Sequence, residues 1–193
     1  MDSSGEHLSR EAWILQALEV MDRDGIHGVK ISGLAASLGV TKGSFYWHFE
    51  SREDLLAGIL AYWADSLVAR IDAEVDLQPD DPSEELMWIL KRVASGELNK
   101  HDPALRTWAV FDQVAQEAVR RVDKDRLEYK RDLFLRMGFE ECEADLRSRL
   151  SYYYVVGEQV VAIDQTPETK LADVETRYEF LISRPAKPGD SDA

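Results

Sequence analysis

Lys30 to Arg52, KISGLAASLGVTKGSFYWHFESR, is the stretch on which the fold of this chain turns. It reads as two short helices joined at a tight corner, Leu38-Gly39-Val40. Ala35 is small enough to let a second helix pack close, Gly39 supplies a backbone state that other residues resist, and Phe45 plugs the space between the helices. Thr41 stands where an N-cap oxygen is wanted, just ahead of Lys42-Gly43-Ser44. A helix that opens on small polar and basic residues can come close to a duplex, with its first turn directing donors at base edges and phosphates. The pattern is that of a helix-turn-helix.

The residues that follow sharpen this reading. Tyr46-Trp47-His48-Phe49, then Ser51-Arg52-Glu53-Asp54-Leu55-Leu56, resembles the signature of the tetracycline-repressor (TetR) family, an aromatic-Tyr-x-His/Tyr-Phe run followed by a basic residue and Leu-Leu. Beyond this amino-terminal segment the resemblance is architectural only. It implies a DNA-reading helix in which Lys42 pairs with guanine and Ser44 donates or accepts at a base edge. Tyr46 and His48 then offer polar atoms to phosphate or base, and Trp47 meets sugar-phosphate or a thymine methyl. Thr41 belongs to the same surface, and Arg52 is expected to hold the opposite line of phosphates, a contact that positions without reading sequence. Phe45 and Phe49 are expected in the core. The second helix departs from the family pattern. Lys30 stands where a capping Thr or Ser is usual, Ser32 where a basic residue is usual, and Gly33 weakens the helix. Both Lys30 and Ser32 are carried over as backbone contacts.

Composition is compatible with this. In 193 residues Pro and Gly are sparse and apolar residues recur at helical spacing, so the fold class is all-α, with about nine helices. No apolar run is long enough to span a bilayer and no signal segment opens the chain, so the expected location is cytoplasmic, without a membrane partner. The single Cys142 forbids an intrachain disulfide, and four scattered histidines offer no metal spacing, so neither metal nor cofactor is expected. The net charge of −14 at first argues against a nucleic-acid partner, but it is unevenly spread. The first 52 residues carry 5 basic and 7 acidic side chains, and within residues 25–52 only Glu50 opposes Lys30, Lys42 and Arg52. Local charge governs phosphate attraction, so this segment can serve a duplex while the acidic remainder discourages indiscriminate adhesion.

In chain order, Ser9 is expected to cap a first helix with a stripe at Ile14, Ala17, Leu18 and Met21, ended by Gly25 and Gly28. Trp13 lies off that stripe and is read as reaching toward the following domain. Residues 1–8 are expected to be frayed. A long helix from Arg52 to Val75 carries Leu56, Leu60, Trp63, Leu67 and Ile71, a natural lever between the amino-terminal segment and the rest, and residues 76–82 form an acidic loop. Further helices are expected from Ser83 or Asp81 to Leu98, from Pro103 to Val122, from Asp125 to Met137, from Glu141 to Ile163 and from Pro167 to Ser183. The Pro103–Val122 helix has apolar residues on two sides and is read as a buried central one. The domain reading is 1–52 for the helix-turn-helix, 53–184 for a ligand-binding and dimerisation domain, and a disordered tail at 185–193.

The last two helices carry stripes suited to a four-helix homodimer interface: Leu146, Leu150, Gly157 and Val160 on one, Val174, Tyr178 and Leu181 on the other. Gly157 lets helices approach closely. Trp63, Trp88, Trp108, Phe111, Phe134 and Tyr153 are an aromatic supply suited to lining a pocket, and the resemblance implies a small-molecule effector, here apolar or aromatic. Asp112, on an otherwise apolar stripe, needs a partner: a salt bridge to Arg106 or Arg147 ahead of a cationic or hydroxylated ligand. The resulting reading is a homodimeric regulator of operator DNA, most simply a repressor. The rival is a helical small-molecule binding protein that no longer binds DNA. No nucleophile-base pair or phosphate loop supports an enzyme.

Overall fold

The computed structural model describes residues 8–73, 80–96, 98–161 and 166–184, with residues 66–73 and 167 described by backbone only. Among these the regular elements are all helical: α1 (Arg10–Asp24), a 3-10 turn (Ile26–Gly28), α2 (Ile31–Ser37), α3 (Lys42–Phe45), α4 (Arg52–Ala73), α5 (Pro82–Ala94), α6 (Asp102–Ala109), α7 (Gln113–Arg136), α8 (Glu141–Val160) and α9 (Pro167–Ile182). The expected fraying of residues 1–7, the side chains of Leu67 and Ile71, residues 76–79 of the acidic loop, Ile163 and the tail all lie outside the described residues.

Local chemistry sets most of the helix ends. Ser9 Oγ accepts the Ala12 amide at 3.1 Å, as expected, and Asp81 rather than Ser83 caps α5, accepting the amides of Ser83 and Glu84. Gly25 closes α1 at φ 69°, and Gly39 turns the corner after α2 at the same φ, a left-handed conformation that a Cβ would strain.

Two expectations are corrected here. The chain does not form one helix from Pro103 to Val122. It breaks at Val110–Asp112 and then runs unbroken from Gln113 to Arg136, through the expected boundary at Asp125. The Asp112 carboxylate accepts the Ala115 amide at 2.9 Å and its carbonyl accepts from Gln116, which is what a residue starting a new helix does. Nothing at Asp123-Lys124-Asp125 removes an amide or requires positive φ, so no stop occurs there. The segment is not a buried central helix either: Phe111 is 88% exposed and Val114 is also open to solvent. The second correction concerns Trp13, which does not reach out of the amino-terminal segment. It is wholly buried within it, edge-on to Phe45 with ring centroids 5.3 Å apart.

The contacts divide the chain into two compact units, and neither ends at residue 52. The first is Met1–Ala73 with Lys100–Asp123, the second Glu74–Asn99 with Lys124–Ala193. In the first unit α1 packs on α2, α4 and α6 around Trp13, Leu18, Phe45, Leu55, Ile59 and Leu105. Polar ties fasten the α6 region to α1 and α4. Trp63 donates its indole N–H to buried Asp102 at 2.8 Å, His101 Nδ1 lies 2.7 Å from Asp22, and Lys100 meets Glu19 at 2.5 Å. Arg106, one turn along α6, pairs with Asp123 of α7 at 2.6 Å.

In the second unit α5 runs along α9, and Leu86, Leu90, Phe134 and Val174 form the core. Glu85 is buried there and satisfied by the Tyr129 hydroxyl and by Arg136 at 3.0 Å. Lys130 of α7 is also buried. Desolvation, then Arg177 and Arg126, lower its pKa from 10.5 to about 8.

That depression fixes a pH dependence. Below pH 8 the ammonium is charged both folded and unfolded, and its burial cost is fully present. Between pH 8 and 10.5 the unfolded chain binds more protons, so this group's penalty fades and its contribution to stability rises with pH. Lys130→Met is expected to be more stable than the parent at pH 7, by on the order of 3 kcal/mol at most. The advantage should shrink steadily toward pH 10, read by urea unfolding at a series of pH values. A pH-independent difference would refute the assignment.

Candidate nucleic-acid interface

The outward face of the helix-turn-helix is decided by what its inward face buries. Leu34 and Ala35 of α2 and Phe45 of α3 are buried, and Phe45 stacks on Phe49 at 5.3 Å while standing edge-on to Trp13. Phe45 and Phe49 are thus the core residues the sequence implied. With these rings pinned, the residues around them must point to solvent. Lys42 and Gly43 are exposed, Tyr46 is 61% exposed and Trp47 85% exposed, and His48 is half-buried. Thr41, Gly43, Ser44, Trp47 and His48 line a shallow cleft of about 370 Å³. A wide indole left almost entirely in water beside a phenol and an ammonium is a surface shaped for contact rather than for folding.

Eight of the nine expected contact residues are exposed or partly exposed: Thr41, Lys42, Ser44, Tyr46, Trp47 and His48 in and around α3, and Lys30 and Ser32 at the start of α2. The ninth does not join them. Arg52 is turned into its own unit, donating from Nε to the Val29 carbonyl at 2.7 Å and from Nη2 to the Ile26 carbonyl at 2.8 Å. It ties down the link between α1 and α2, so its expected role on phosphate is corrected to a structural one. The capping role of Thr41 is corrected as well. Thr41 occupies the N-cap position with extended backbone, but its hydroxyl caps nothing and the Ser44 amide bonds its carbonyl at 3.1 Å. Lys30 likewise stands at the N-cap of α2 with no side-chain bond. The reading helix itself is short, Lys42–Phe45, and continues as a turn in which the His48 and Phe49 amides bond the Phe45 carbonyl.

Neither Gly33 nor Gly43 is explained by packing. A Cβ at Gly33 meets nothing within 4 Å, and one at Gly43 meets only Thr41 Oγ1 at an ordinary 3.5 Å.

The expected ligand residues are not brought together. Trp63, Trp108, Phe111 and Asp112 belong to the first unit, and Trp88, Phe134 and Tyr153 to the second. Trp63 is buried with its N–H engaged by Asp102, and Phe134 is wholly buried core, so these two are corrected to structural roles. Tyr153 is exposed, and Trp88 carries the Arg92 guanidinium 4.8 Å from its ring. Asp112 makes neither proposed salt bridge; it caps α7, while Arg147 bonds the Leu181 and Ser183 carbonyls. Trp108, Phe111 and Asp112 do share a cleft of about 760 Å³ with Met21, Ile26, Leu56 and others of the first unit.

The expected dimer stripes also divide. On α8, Leu146, Leu150 and Val160 are exposed and Gly157 partly so, and a Cβ at Gly157 meets nothing within 4 Å. On α9, Val174 and Leu181 are buried in the second unit's own core and Tyr178 packs against it. Those three are corrected to intrachain packing. Sequence reasoning also passed over Asp102, the partner of Trp63, and the buried cations Arg126 and Lys130. Nothing in their spacing sets them apart from surface charges.

A buried aromatic anchor that presents a short polar helix after a glycine corner defines a helix-turn-helix DNA-binding module. Residues 14–59 match the family described as bacterial regulatory proteins, tetR family, whose members are DNA-binding transcriptional regulators rather than enzymes. The match is confined to the helix-turn-helix segment and the start of α4. It is 28% identical over 144 residues to the nucleoid occlusion factor SlmA of Escherichia coli, an alignment spanning 74% of this chain but only 66% of that relative's length. Its fold is shared with a transcriptional regulator from Rhodococcus sp. Rha1 (TM-score 0.71, 21% identity, 90% of this chain and 96% of that one). It is also shared with a TetR/AcrR-family regulator from Thermobifida fusca (TM-score 0.63, 18% identity, 89% and 95%). Among the described residues no helix is long and apolar enough to cross a membrane.

The two kinds of residue at this face respond differently to substitution. Arg52→Gln is expected to cost about 1–3 kcal/mol, because two part-buried carbonyls lose a charged donor. Trp47→Ala should stay within about 0.5 kcal/mol of the parent, since the ring packs on little. Thermal and urea unfolding of the two variants side by side would show the contrast, and equal losses would contradict it.

Proposed function

We propose that this protein is a cytoplasmic, homodimeric regulator that binds double-stranded operator DNA and represses transcription until a small-molecule effector releases it. The observation that carries the reading is the outward presentation of Lys42, Tyr46 and Trp47 over an anchor of buried Phe45 and Phe49. In this reading Lys42 and Ser44 address base edges, while Thr41, Tyr46, Trp47 and His48 follow the adjacent backbone. Lys30 and Ser32 meet phosphates from the second helix. The bare Gly33 and Gly43 admit the sugar-phosphate chain where a side chain would hold it off.

Local charge on this face is small, so one copy would bind weakly. Two copies presenting their reading helices roughly 34–36 Å apart meet successive major-groove faces and recover affinity and specificity together. The exposed Leu146, Leu150, Tyr153 and Val160 with the partly exposed Gly157 on α8 recur at steps of four and three, the spacing of a helix-packing seam, and support α8 as the self-association surface. Gly157, unconstrained within the protomer, fits a helix from the second copy.

Release follows from the ties on α6. Asp102, His101 and Lys100 bind the start of that helix to α4 and α1, and Arg52, the first residue of α4, is bonded to the α1–α2 link. A displacement of α6 therefore reaches the reading helix through bonded groups. The cleft bearing Trp108, Phe111 and Asp112 suits an apolar or aromatic effector. An effector that prefers one setting of α6 shifts the population by its differential affinity.

Fluorescence anisotropy with duplex from the chain's own upstream region tests this. The parent is expected to bind, and Lys42→Ala should cost about 1–3 kcal/mol of affinity and relax the preference at the base it addresses. Trp47→Ala should lose about tenfold or more without loss of fold. Absence of binding at low salt would leave the rival reading, a helical binding protein without DNA function. For the dimer, Gly157→Leu is expected to shift sedimentation toward the protomer; an unchanged dimer would remove α8 from the interface.

A further inference from the structure

In the cleft of about 760 Å³ in the first unit the acids have partners, and two donor N–H groups do not. Asp22 meets His101 Nδ1 at 2.7 Å, and Asp112 accepts the Ala115 amide at 2.9 Å. Lys100 is taken by Glu19. Arg52 spends Nε and Nη2 on the Val29 and Ile26 carbonyls, and its Nη1 has no partner among the described residues. Trp108 is 7% exposed, yet its indole N–H, unlike that of Trp63, donates to no described residue. That nitrogen is not sealed from solvent, and the cleft is the open space the residue lines.

An N–H taken mostly out of water without an acceptor is disfavoured in folding, so packing alone does not account for Trp108. Around these donors the wall is apolar, with Met21, Ile26 and Leu56 in the lining. Phe111 belongs to the same lining and leaves its ring almost wholly in water. That ring gains nothing for the fold, but against a flat ligand it gains buried area and stacking. An apolar wall of this size with a few directed polar groups has the make-up of a small-molecule site. Because the unspent groups are donors, the complement is an acceptor, and beside a guanidinium the strongest is a carboxylate.

We infer that the cleft takes a planar aromatic carboxylate, with its ring against Phe111 and the apolar wall and its carboxylate on Arg52 Nη1 and the Trp108 N–H. The ligand class deepens the effector reading and rests on it only for the consequence at DNA. Arg52 supplies that consequence. Its bonds to Ile26 and Val29 hold the link that leads to Lys30 and α2. A carboxylate is a stronger acceptor for a guanidinium than either neutral carbonyl, so occupancy draws Arg52 toward the cleft and loosens the seat of α2.

The test uses the full chain with naphthoate, its neutral counterpart naphthamide and the cation naphthylmethylammonium, titrated by calorimetry without DNA. Naphthoate is expected to bind at least about tenfold more tightly than naphthamide. Arg52→Gln should bring that ratio close to one, whereas a merely loosened fold would weaken both ligands alike. Trp108→Phe, which keeps an aromatic ring and loses the N–H, should weaken naphthoate roughly fivefold. Phe111→Ala, at a position the fold leaves exposed, should weaken naphthoate and naphthamide by similar factors. No binding of naphthoate, equal binding of acid and amide, or tighter binding of the cation would each overturn the proposal, and none of these depends on a variant folding. Undiminished naphthoate binding by either Trp108→Phe or Phe111→Ala would overturn it too. With operator duplex, saturating naphthoate is expected to weaken binding about fivefold or more. Bound naphthoate with unchanged operator affinity would remove the release reading while the site stands; release by neutral compounds, with no preference for the acid, would do the reverse.

Discussion

The contact on which the amino-terminal half depends is the burial of Phe45 between Trp13 and Phe49. It joins α1 to a helix only four residues long, too short to hold its shape by backbone bonding alone. Because that ring is fixed, Tyr46 and Trp47 have no inward position left and stand in solvent. The same burial thus supplies the fold with its core and the surface with its contact residues.

The first unit also shows how a polar group can be buried without loss. Asp102 is inside, but it accepts the Trp63 indole N–H and starts the segment that His101 and Lys100 tie to α1. These contacts give α6 a defined seat and make its position matter to α1 and α4. Glu85 in the second unit is handled in the same way by Tyr129 and Arg136. Lys130 is the contrast: a buried ammonium that donates to the Ser151 hydroxyl, and whose burial favours losing its proton.

Charge is arranged to suit a chain with an excess of acid. Residues 25–52 keep Lys30 and Lys42 exposed against a single acid, while Arg52 leaves the surface to bond two carbonyls. The cationic supply at the face is therefore smaller than a count of residues suggests, and contact must come from shape, aromatic surface and pairing of two copies.

The helix-turn-helix was legible because its signals are local. A glycine corner, an inward Phe every fourth residue and a polar opening act within a few residues of one another, and backbone geometry leaves them one compatible arrangement. The all-helical class and the cap at Ser9 were readable for the same reason, while the choice of Asp81 over Ser83 as the cap of α5 came from the structure. Sequence alone thus determined which residues of the 41–48 segment turn outward. What it did not determine were pairings between distant segments: Asp112 turning to the Ala115 amide instead of an arginine, Arg52 turning to Ile26 and Val29, Val174 and Leu181 entering their own core, and Lys130 of α7 meeting Ser151 of α8. An amphipathic stripe states that a face is covered but not by what, and a charged residue states that it needs an answer but not from where. Those answers come only when packing brings remote helices together.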